Sequence, residues 1–408
     1  MTTPKPARLR LAAATALAAT AAAVLPAASA TAAPTPVPKP APLTQKQLQH
    51  EAERILKKAG YVGVSVQVRD GRRRLHAAAG EAELGTGRPV RHAAPFRAAS
   101  LTKSFVATVV LQLVAEKQLS LDDTVDRWLP GVVDGNGNDG SRITVRHLLQ
   151  HTSGIYNYDL TEDTGAGADD FERTRFDHHD PSELVTGAMR HKPDFPPADP
   201  GDPAPRWNYS NPGYVVAGMI VEKVTGKTWD EQVRDRIARP LGLKHTYAPG
   251  DDPRVPGAYA HAYHQFPGSR RWVDTSVRNM SWAGPAGALI TDENDADRFL
   301  TALYTGRLLP AAQLKEMRRT VPAKDFQDIF PGLHYGLGAM RQPLSCGGYR
   351  WGHGGDLEGQ TVRTAVSADG RRSVVLNATG KKADEAWLTN AEKALQGLVD
   401  RAMCAPSR

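Results

Sequence analysis

Cysteine is scarce in this sequence. Cys346 and Cys404 are the two that occur among 408 residues, so a fold held together by a dense disulfide framework is excluded. An even pair of cysteines usually bonds when a chain meets oxidising conditions. We therefore expect a disulfide between these two residues in an exported protein, with two separate thiols as the alternative.

Long apolar runs are also lacking beyond the N-terminus. The run over residues 11–25 follows three basic residues and precedes a string of small residues, which is the three-part layout of a secretory signal peptide. A membrane anchor is the alternative, but the run is short, rich in alanine and followed by Pro26. We expect a cleaved signal peptide over residues 1–32, a secreted extracellular protein, and no membrane association after cleavage.

A strong concentration of charge is the third feature that is missing. The formal net charge is +7, and without residues 1–32 it falls to +4, from 48 basic and 44 acidic residues. The basic residues are dispersed, and the densest run, residues 72–74 beside Gly71, is typical of an exposed hairpin turn. We expect no nucleic acid among the partners of this protein.

The ends of the chain favour mixed structure. Residues 44–59 have the apolar spacing of a helix, and the following segment alternates apolar and polar residues around Asp70-Gly71, which predicts a hairpin. A second hairpin is predicted at Asp369-Gly370, before a closing amphipathic helix.

The middle of the chain consists of helical patterns and polar loops, and no internal repeat is visible. The proline-rich residues 33–43 predict an extended linker. We predict one domain over 44–402. Its α/β part would be formed by 44–120 and about 250–402, and a mostly helical part would be inserted at about 121–249.

A serine and a lysine stand three residues apart where an apolar helical run begins. Ser100 and Lys103 would share one face of that helix, whose N-terminus offers free N–H groups to a developing oxyanion. A desolvated lysine can take the proton of a nucleophilic serine. The alternative is a serine that caps an ordinary helix beside a solvated lysine.

Two further short motifs lie downstream. Tyr209 and Asn211 flank Ser210 just before a helix, where a capping turn is the structural alternative. His353 precedes two glycines at the start of a strand, where a substrate backbone can approach closely, or it is a structural histidine near the surface.

The order Ser-x-x-Lys, Tyr-x-Asn, His-x-Gly resembles the penicillin-binding serine hydrolase superfamily, in its class C β-lactamase and secreted D-alanyl-D-alanine carboxypeptidase branch. The connecting segments TVRHLLQHTSGI, GMIVEKVTGKTWDEQV, PLGLKHT and AGALIT resemble that branch too. The resemblance implies an α/β (α+β) fold of the class C β-lactamase type, in which helices flank an antiparallel sheet and a mostly helical domain is inserted.

The resemblance also implies roles for the motif residues and needs no metal or other cofactor. Ser100 would be the acylated nucleophile, Lys103 its base, Tyr209 the proton shuttle, Asn211 an orienting amide, and His353 a basic group that holds Tyr209 and substrate. The oxyanion hole would be the N–H groups of Ser100 and Asp356, with Gly355 beside it. Secreted members also link a cysteine just before the His-x-Gly motif to one near the C-terminus, as Cys346 and Cys404 would be.

The resemblance implies a D-alanyl-D-alanine carboxypeptidase that acts on peptidoglycan stem peptides and is acylated by β-lactams, and we expect a monomer. One departure is Asp356, where the carboxypeptidases typically have a threonine. An aspartate would repel a substrate carboxylate unless Arg341 or Arg350 intervened. A D-aminopeptidase, an esterase, a β-lactamase and a penicillin-binding protein without turnover therefore remain alternatives.

Two metal-like segments are set aside. Residues 134–145 begin like a calcium loop but have Asp139 where that loop needs glycine and Val145 where it needs an acid. Residues 177–180 contain adjacent histidines, which usually point apart in a loop.

Overall fold

A computed structural model describes residues 42–158, 167–199, 201–202 and 204–406. The predicted signal peptide and all but the last two residues of the predicted linker lie outside these residues, so they remain predictions. The described residues belong to one compact unit.

The helices of the described residues begin with a capped helix at the N-terminus and end with a long one at the C-terminus. They are α1 Gln45–Ala59, α2 Thr102–Ala115, α3 Val125–Trp128, α4 Val145–Gln150, α5 Ala168–Thr174, α6 Pro181–Met189, α7 Asn211–Thr225, α8 Trp229–Val233, α9 Arg239–Leu241, α10 Gly284–Gly287, α11 Glu293–Tyr304, α12 Ala311–Met317 and α13 Glu385–Cys404.

The strands of the described residues are mostly short, apart from three long ones near the two ends of the chain. They are β1 Gly63–Asp70, β2 Arg73–Gly80, β3 Phe96–Arg97, β4 Asp134–Gly135, β5 Asn138–Asp139, β6 Tyr263–Gln265, β7 Val273–Asp274, β8 Ile290–Thr291, β9 Val321–Pro322, β10 His334–Tyr335, β11 Met340–Pro343, β12 Tyr349–Gly352, β13 Gly354–Leu357, β14 Gln360–Val366, β15 Arg372–Thr379 and β16 Lys381–Lys382.

The main sheet is antiparallel and joins the two ends of the chain. Its order is β2-β1-β15-β14-β12-β11-β10-β9, and β13 also pairs with β14, beside β12. Strand β1 pairs with β15 in the register Gly63↔Thr379 to Asp70↔Arg372. Both hairpins predicted from the sequence are therefore present, and they pair with each other through β1 and β15, which are buried along nearly their whole length.

Helices cover both faces of this sheet. On one face α1 and α13 bury a layer that includes Leu48, Ile55 and Leu395. The other face packs on the main core, which joins Phe105 of α2 with Phe299 of α11 by stacked rings 3.6 Å apart. The mixed α/β architecture with a large antiparallel sheet and flanking helices is as predicted.

Two further features bear on the sequence analysis. Cys346 and Cys404 form a disulfide that ties the end of α13 to the turn between β11 and β12. Within the described ranges, no helix combines the length and apolar character needed to cross a membrane.

Candidate active site

Ser100 lies in a single turn of 3-10 helix, Ala99–Leu101, between the end of β3 and the start of α2. Strand β3 is held by pairing with β8. Ala99 has a φ of 48°, a left-handed conformation that costs energy for a residue with a side chain. The chain therefore makes a sharp bend that presents Ser100 at the head of α2.

Lys103 lies behind Ser100 and is completely buried. The helical turn places its Nζ 3.2 Å from Ser100 Oγ, and Nζ also donates to Asn211 Oδ1 at 2.8 Å and to the carbonyl of Ala286 at 2.7 Å. All three partners are uncharged. Burial therefore lowers the pKa of Lys103 well below its ordinary value.

Tyr209 reaches this pair from the loop before α7, and Asn211 reaches it from the first residue of that helix. Ser210 caps the helix, since its hydroxyl accepts from the N–H of Gly213. The Tyr209 hydroxyl hydrogen-bonds Ser100, while burial raises the pKa of Tyr209. Lys103 Nζ lies 4.7 Å from the centre of the Tyr209 ring. The capping and the catalytic interpretations of this motif are thus compatible, because Ser210 caps the helix while Tyr209 and Asn211 contact Lys103.

His151, a buried histidine that is not part of the three motifs, hydrogen-bonds this loop at two points. His151 Nδ1 accepts from the N–H of Ser210 at 3.1 Å, and its carbonyl accepts from the N–H of Asn208 at 3.2 Å. Its ring lies 4.3 Å from that of Tyr209. Burial and the nearby Lys103 keep its pKa well below the ordinary value. The segment TVRHLLQHTSGI carries this residue, but nothing in its spacing indicates the contact.

His353 lies in the wall of the same cavity. Burial lowers its pKa to about 3, so the imidazole is neutral at neutral pH. Nδ1 lies 2.6 Å from the carbonyl of Gly354, and Nε2 lies 2.7 Å from the hydroxyl of Tyr335. Both ring nitrogens are therefore occupied, and the tyrosine that His353 holds is Tyr335 rather than Tyr209.

Strand β13 lies directly against the Ser100 turn. A Cβ added to Gly355 would be 2.7 Å from the carbonyl oxygen of Ala98 and 3.0 Å from the nitrogen of Ser100, so this contact requires glycine. Among the described strands, β14 is the only one that pairs with β13. Because pairs alternate in an antiparallel ladder and Leu357↔Gln360 closes a tight turn, the N–H of Asp356 faces the open edge. This edge can supply the second oxyanion donor beside the N–H of Ser100.

The cations beside Asp356 are not the predicted ones. Asp356 Oδ2 lies 2.8 Å from Arg363 Nη1, and Oδ1 lies 2.9 Å from Lys381 Nζ. Burial opposes ionisation of Asp356, but these two cations outweigh it and hold its pKa below the ordinary value. Arg341 does not pair with Asp356, because β11 carries its guanidinium over the ring of Tyr349, 4.5 Å from the ring centre; its role in substrate binding stays a prediction.

A cavity of about 540 Å³ joins these groups. Its lining includes Ser100, Tyr209, Asn211, His353, Gly355 and Asp356. Arg350 also lines it but bonds Gln342 and Gln396 instead of Asp356. Leu388 of α13 is exposed and lines the cavity as well. The structure thus brings together the residues of all three motifs.

Metal ligands do not gather at this cavity in the part of the chain that the structure describes. The one group of three potential ligands found there, His245, Asp292 and Asp295, lies at the start of α11, where the acids bond backbone N–H groups. His178 from the adjacent histidines bonds Asp251 at 2.7 Å. The segment set aside as a calcium loop contains the small hairpin of β4 and β5.

A serine on a helix N-terminus, a buried lysine with uncharged partners, and a strand edge for an oxyanion are the features of a serine hydrolase that works through an acyl-enzyme. The sequence model of the beta-lactamase family matches residues 48–398. The chain belongs to that family.

The names of similar proteins indicate different activities. A D-stereospecific amidohydrolase from a Streptomyces species is 41% identical, with a TM-score of 0.75 over 86% of this chain and 98% of that one. Penicillin-binding protein 4 of Amycolatopsis lactamdurans is 36% identical over 41% of this chain. Esterase EstB of Burkholderia gladioli is 34% identical over 52% of it. The matches span 39% and 53% of those two curated relatives.

Proposed function

We propose that this protein hydrolyses amide bonds formed by the carboxyl group of D-amino acids, through an acyl-enzyme at Ser100. The observation that carries the proposal is the 3.2 Å contact between Nζ of buried Lys103 and Oγ of Ser100, with uncharged groups as the other partners of the lysine. The similarity to a D-stereospecific amidohydrolase over nearly all of that chain supports the substrate class.

In the proposed reaction, Lys103 acts as a neutral amine. It donates its two hydrogens to Asn211 and Ala286, so its lone pair is free for the hydroxyl hydrogen of Ser100. Ser100 Oγ attacks the amide carbonyl carbon as its proton passes to Lys103. The carbonyl oxygen becomes an oxyanion between the N–H groups of Ser100 and Asp356.

Collapse of this intermediate breaks the C–N bond. Tyr209, protonated because burial raises its pKa, gives its proton to the departing nitrogen and recovers one from Lys103. The ester on Ser100 is then attacked by water, which passes its proton to Lys103. The bond between the acyl carbon and Ser100 Oγ breaks, and Lys103 returns this proton to Oγ, so that the lysine is neutral again. The products are the amine, the D-amino acid and free Ser100.

A D-alanyl-D-alanine carboxypeptidase is the second candidate. The three motifs and the similarity to Penicillin-binding protein 4 favour it, and peptidoglycan stem peptides would be its substrates. β-Lactams are then expected to acylate Ser100, since they imitate the acyl group that this chemistry transfers. Export of the protein is part of either proposal and rests on the N-terminal sequence.

A substrate panel tests the proposal. We expect release of ammonia from D-phenylalanine amide to exceed release from the L-enantiomer and release of D-alanine from an acyl-D-alanyl-D-alanine peptide. Ser100→Ala should abolish all three, while Ser104→Ala, which removes a buried hydroxyl one turn further along α2, should keep the same preference. Preferred release of D-alanine would favour the carboxypeptidase, and turnover in Ser100→Ala would refute the mechanism.

A further inference from the structure

We propose that Asp356 is the binding site for the free ammonium group of the substrate, so that the enzyme selects D-amino acid amides and peptides with an unblocked N-terminus. The inference rests on the proposed function, because it names a substrate feature read at the same site. In this proposal the side-chain carboxylate of Asp356 binds the ammonium group, while its backbone N–H donates to the oxyanion.

The charged residues that line the cavity differ in exposure. Among the acids, Asp328, Asp356 and Glu385 are exposed and Glu392 is buried. The cations Arg350, Arg363 and Lys381 are all buried in the cavity wall. A substrate in the cavity therefore meets negative charge at its surface, which attracts an ammonium group and repels a carboxylate.

Asp356 is the exposed acid on the strand that packs against the Ser100 turn. It follows Gly355, whose Cα lies against the Ser100 turn, and its own N–H faces the open edge of β13. Its side chain is 48% exposed, whereas those of Arg363 and Lys381 are 8% and 11% exposed. The α-amino group of an acylating amino acid is two bonds from the carbonyl carbon that Ser100 attacks, so it lies within reach of a carboxylate beside the oxyanion site.

The buried cations support this carboxylate rather than compete for the substrate. Arg363 donates to Asp356 with Nη1 and to Glu392 with Nε and Nη2. Asp356 accepts one hydrogen bond each from Arg363, Lys381 and Thr361. Two carboxylate oxygens offer about four acceptor positions, so one remains for a substrate N–H.

The register of the sheet explains this arrangement. Asp356 stands opposite Thr361, and Arg363 is two residues further along β14 on the same face. Lys381 lies two residues after the end of β15, at the start of β16. A charge network formed by β13, β14 and the start of β16 thus fixes the side chain of Asp356 and keeps it ionised.

The test compares substrates that share the bond to be cleaved and differ in whether the α-amino group is free or acetylated. The substrates are D-phenylalanine p-nitroanilide and its N-acetyl derivative, with the methyl esters of the same two acids as a second pair. Asp356→Asn removes the charge and keeps the shape and the N–H. We expect kcat/KM to fall about 10- to 100-fold for the free amines, as for loss of a hydrogen bond to a charged group, and to change little for the N-acetyl substrates.

Glu385→Gln is the matched control, because it removes another exposed acid of the cavity lining and leaves the partners of Asp356 in place. Its ratio of free to blocked kcat/KM should equal that of the wild type. An equal loss on both substrates in Asp356→Asn, or the same change of ratio in Glu385→Gln, would refute the ammonium site.

The two substrate pairs separate this inference from the proposed function. Failure to cleave the anilides with turnover of the esters would overturn the amidohydrolase proposal, and the ester pair would still test Asp356. A wild type that prefers the N-acetyl member of both pairs would overturn the ammonium site alone.

Discussion

Two buried lysines lie beside the same cavity, and their partners differ. Lys103 is fully buried and its Nζ bonds Ser100, Asn211 and Ala286, none of which is charged. Lys381 is 9% exposed and its Nζ forms an ion pair with Asp356. Burial is similar in the two places, so the partner decides which lysine is suited to hold a proton and which to release one.

The comparison extends to the two halves of the cavity. The half around Ser100 contains a lysine, tyrosines and histidines whose pKa values are displaced by burial. The half around Asp356 contains acids and bases that compensate one another. The first half is suited to move protons, and the second to bind a charged group.

The largest effect is expected from removing each lysine in turn. Lys103→Met should lower acylation by a fluorescent penicillin or an ester substrate about 100- to 10000-fold, because a positioned base is lost. Lys381→Met, the matched change in the other half, should cost about 10-fold or less. Stopped-flow acylation rates measure both, and equal losses would contradict the division between the two halves.

The disulfide should matter for the stability of the charged half and little for the reactive half. Its sequence separation is 58 residues, for which chain-entropy arguments give about 4 kcal/mol. Cys346→Ala with Cys404→Ala should lower the free energy of unfolding in urea by up to about that amount. Ester turnover at 15 °C, well inside the folded range, should stay within about twofold of the wild type.

A loss of ester turnover in the cysteine double variant, while the chain is still folded by circular dichroism, would show that the two halves are not independent. The single variants provide the control, since each lacks the bond but keeps one of the two side chains.

Asn211→Asp would give Lys103 a charged partner and so make it resemble Lys381. An opposite charge in contact favours the ammonium form and raises the lysine pKa by about one to three units. The acidic limb of the kcat/KM profile should move to higher pH by that amount, with lower activity at pH 7. Asn211→Ala removes the amide without adding charge, so a shift of the same size in that variant would contradict this explanation.

The smallest effect is a stability loss in acid that comes from His353. Its pKa is about 3 in the folded chain and 6.5 ordinarily, so between these values the unfolded state binds more protons. Stability should therefore fall as the pH drops below about 6.5, by about 1.4 kcal/mol per pH unit at most.

In His353→Gln this contribution should be missing from unfolding curves recorded between pH 7.5 and 4.5. His50→Gln, a change at an exposed histidine of α1, should leave the pH dependence as in the wild type. An unchanged acid slope in His353→Gln would mean that this histidine is not held neutral by the fold.

Much of the fold and of the reactive half is predictable from the sequence. The pair Ser100 and Lys103 depends on one helical turn, so a spacing of three residues suffices to bring the side chains together. The hairpins at Asp70 and Asp369 follow from local alternation and turn residues. The order of the three motifs indicates the superfamily, and the match over residues 48–398 agrees with it.

The sequence by itself thus determined the contact between Ser100 and Lys103 and the class of fold, because the first depends on a few neighbouring residues and the second on a recognisable order of motifs. Only the tertiary structure decided that Arg363 and Lys381, and not Arg341, pair with Asp356, and that His353 binds Tyr335. Those contacts depend on strand register and on burial, which bring distant residues to one face of a sheet or take a side chain out of water.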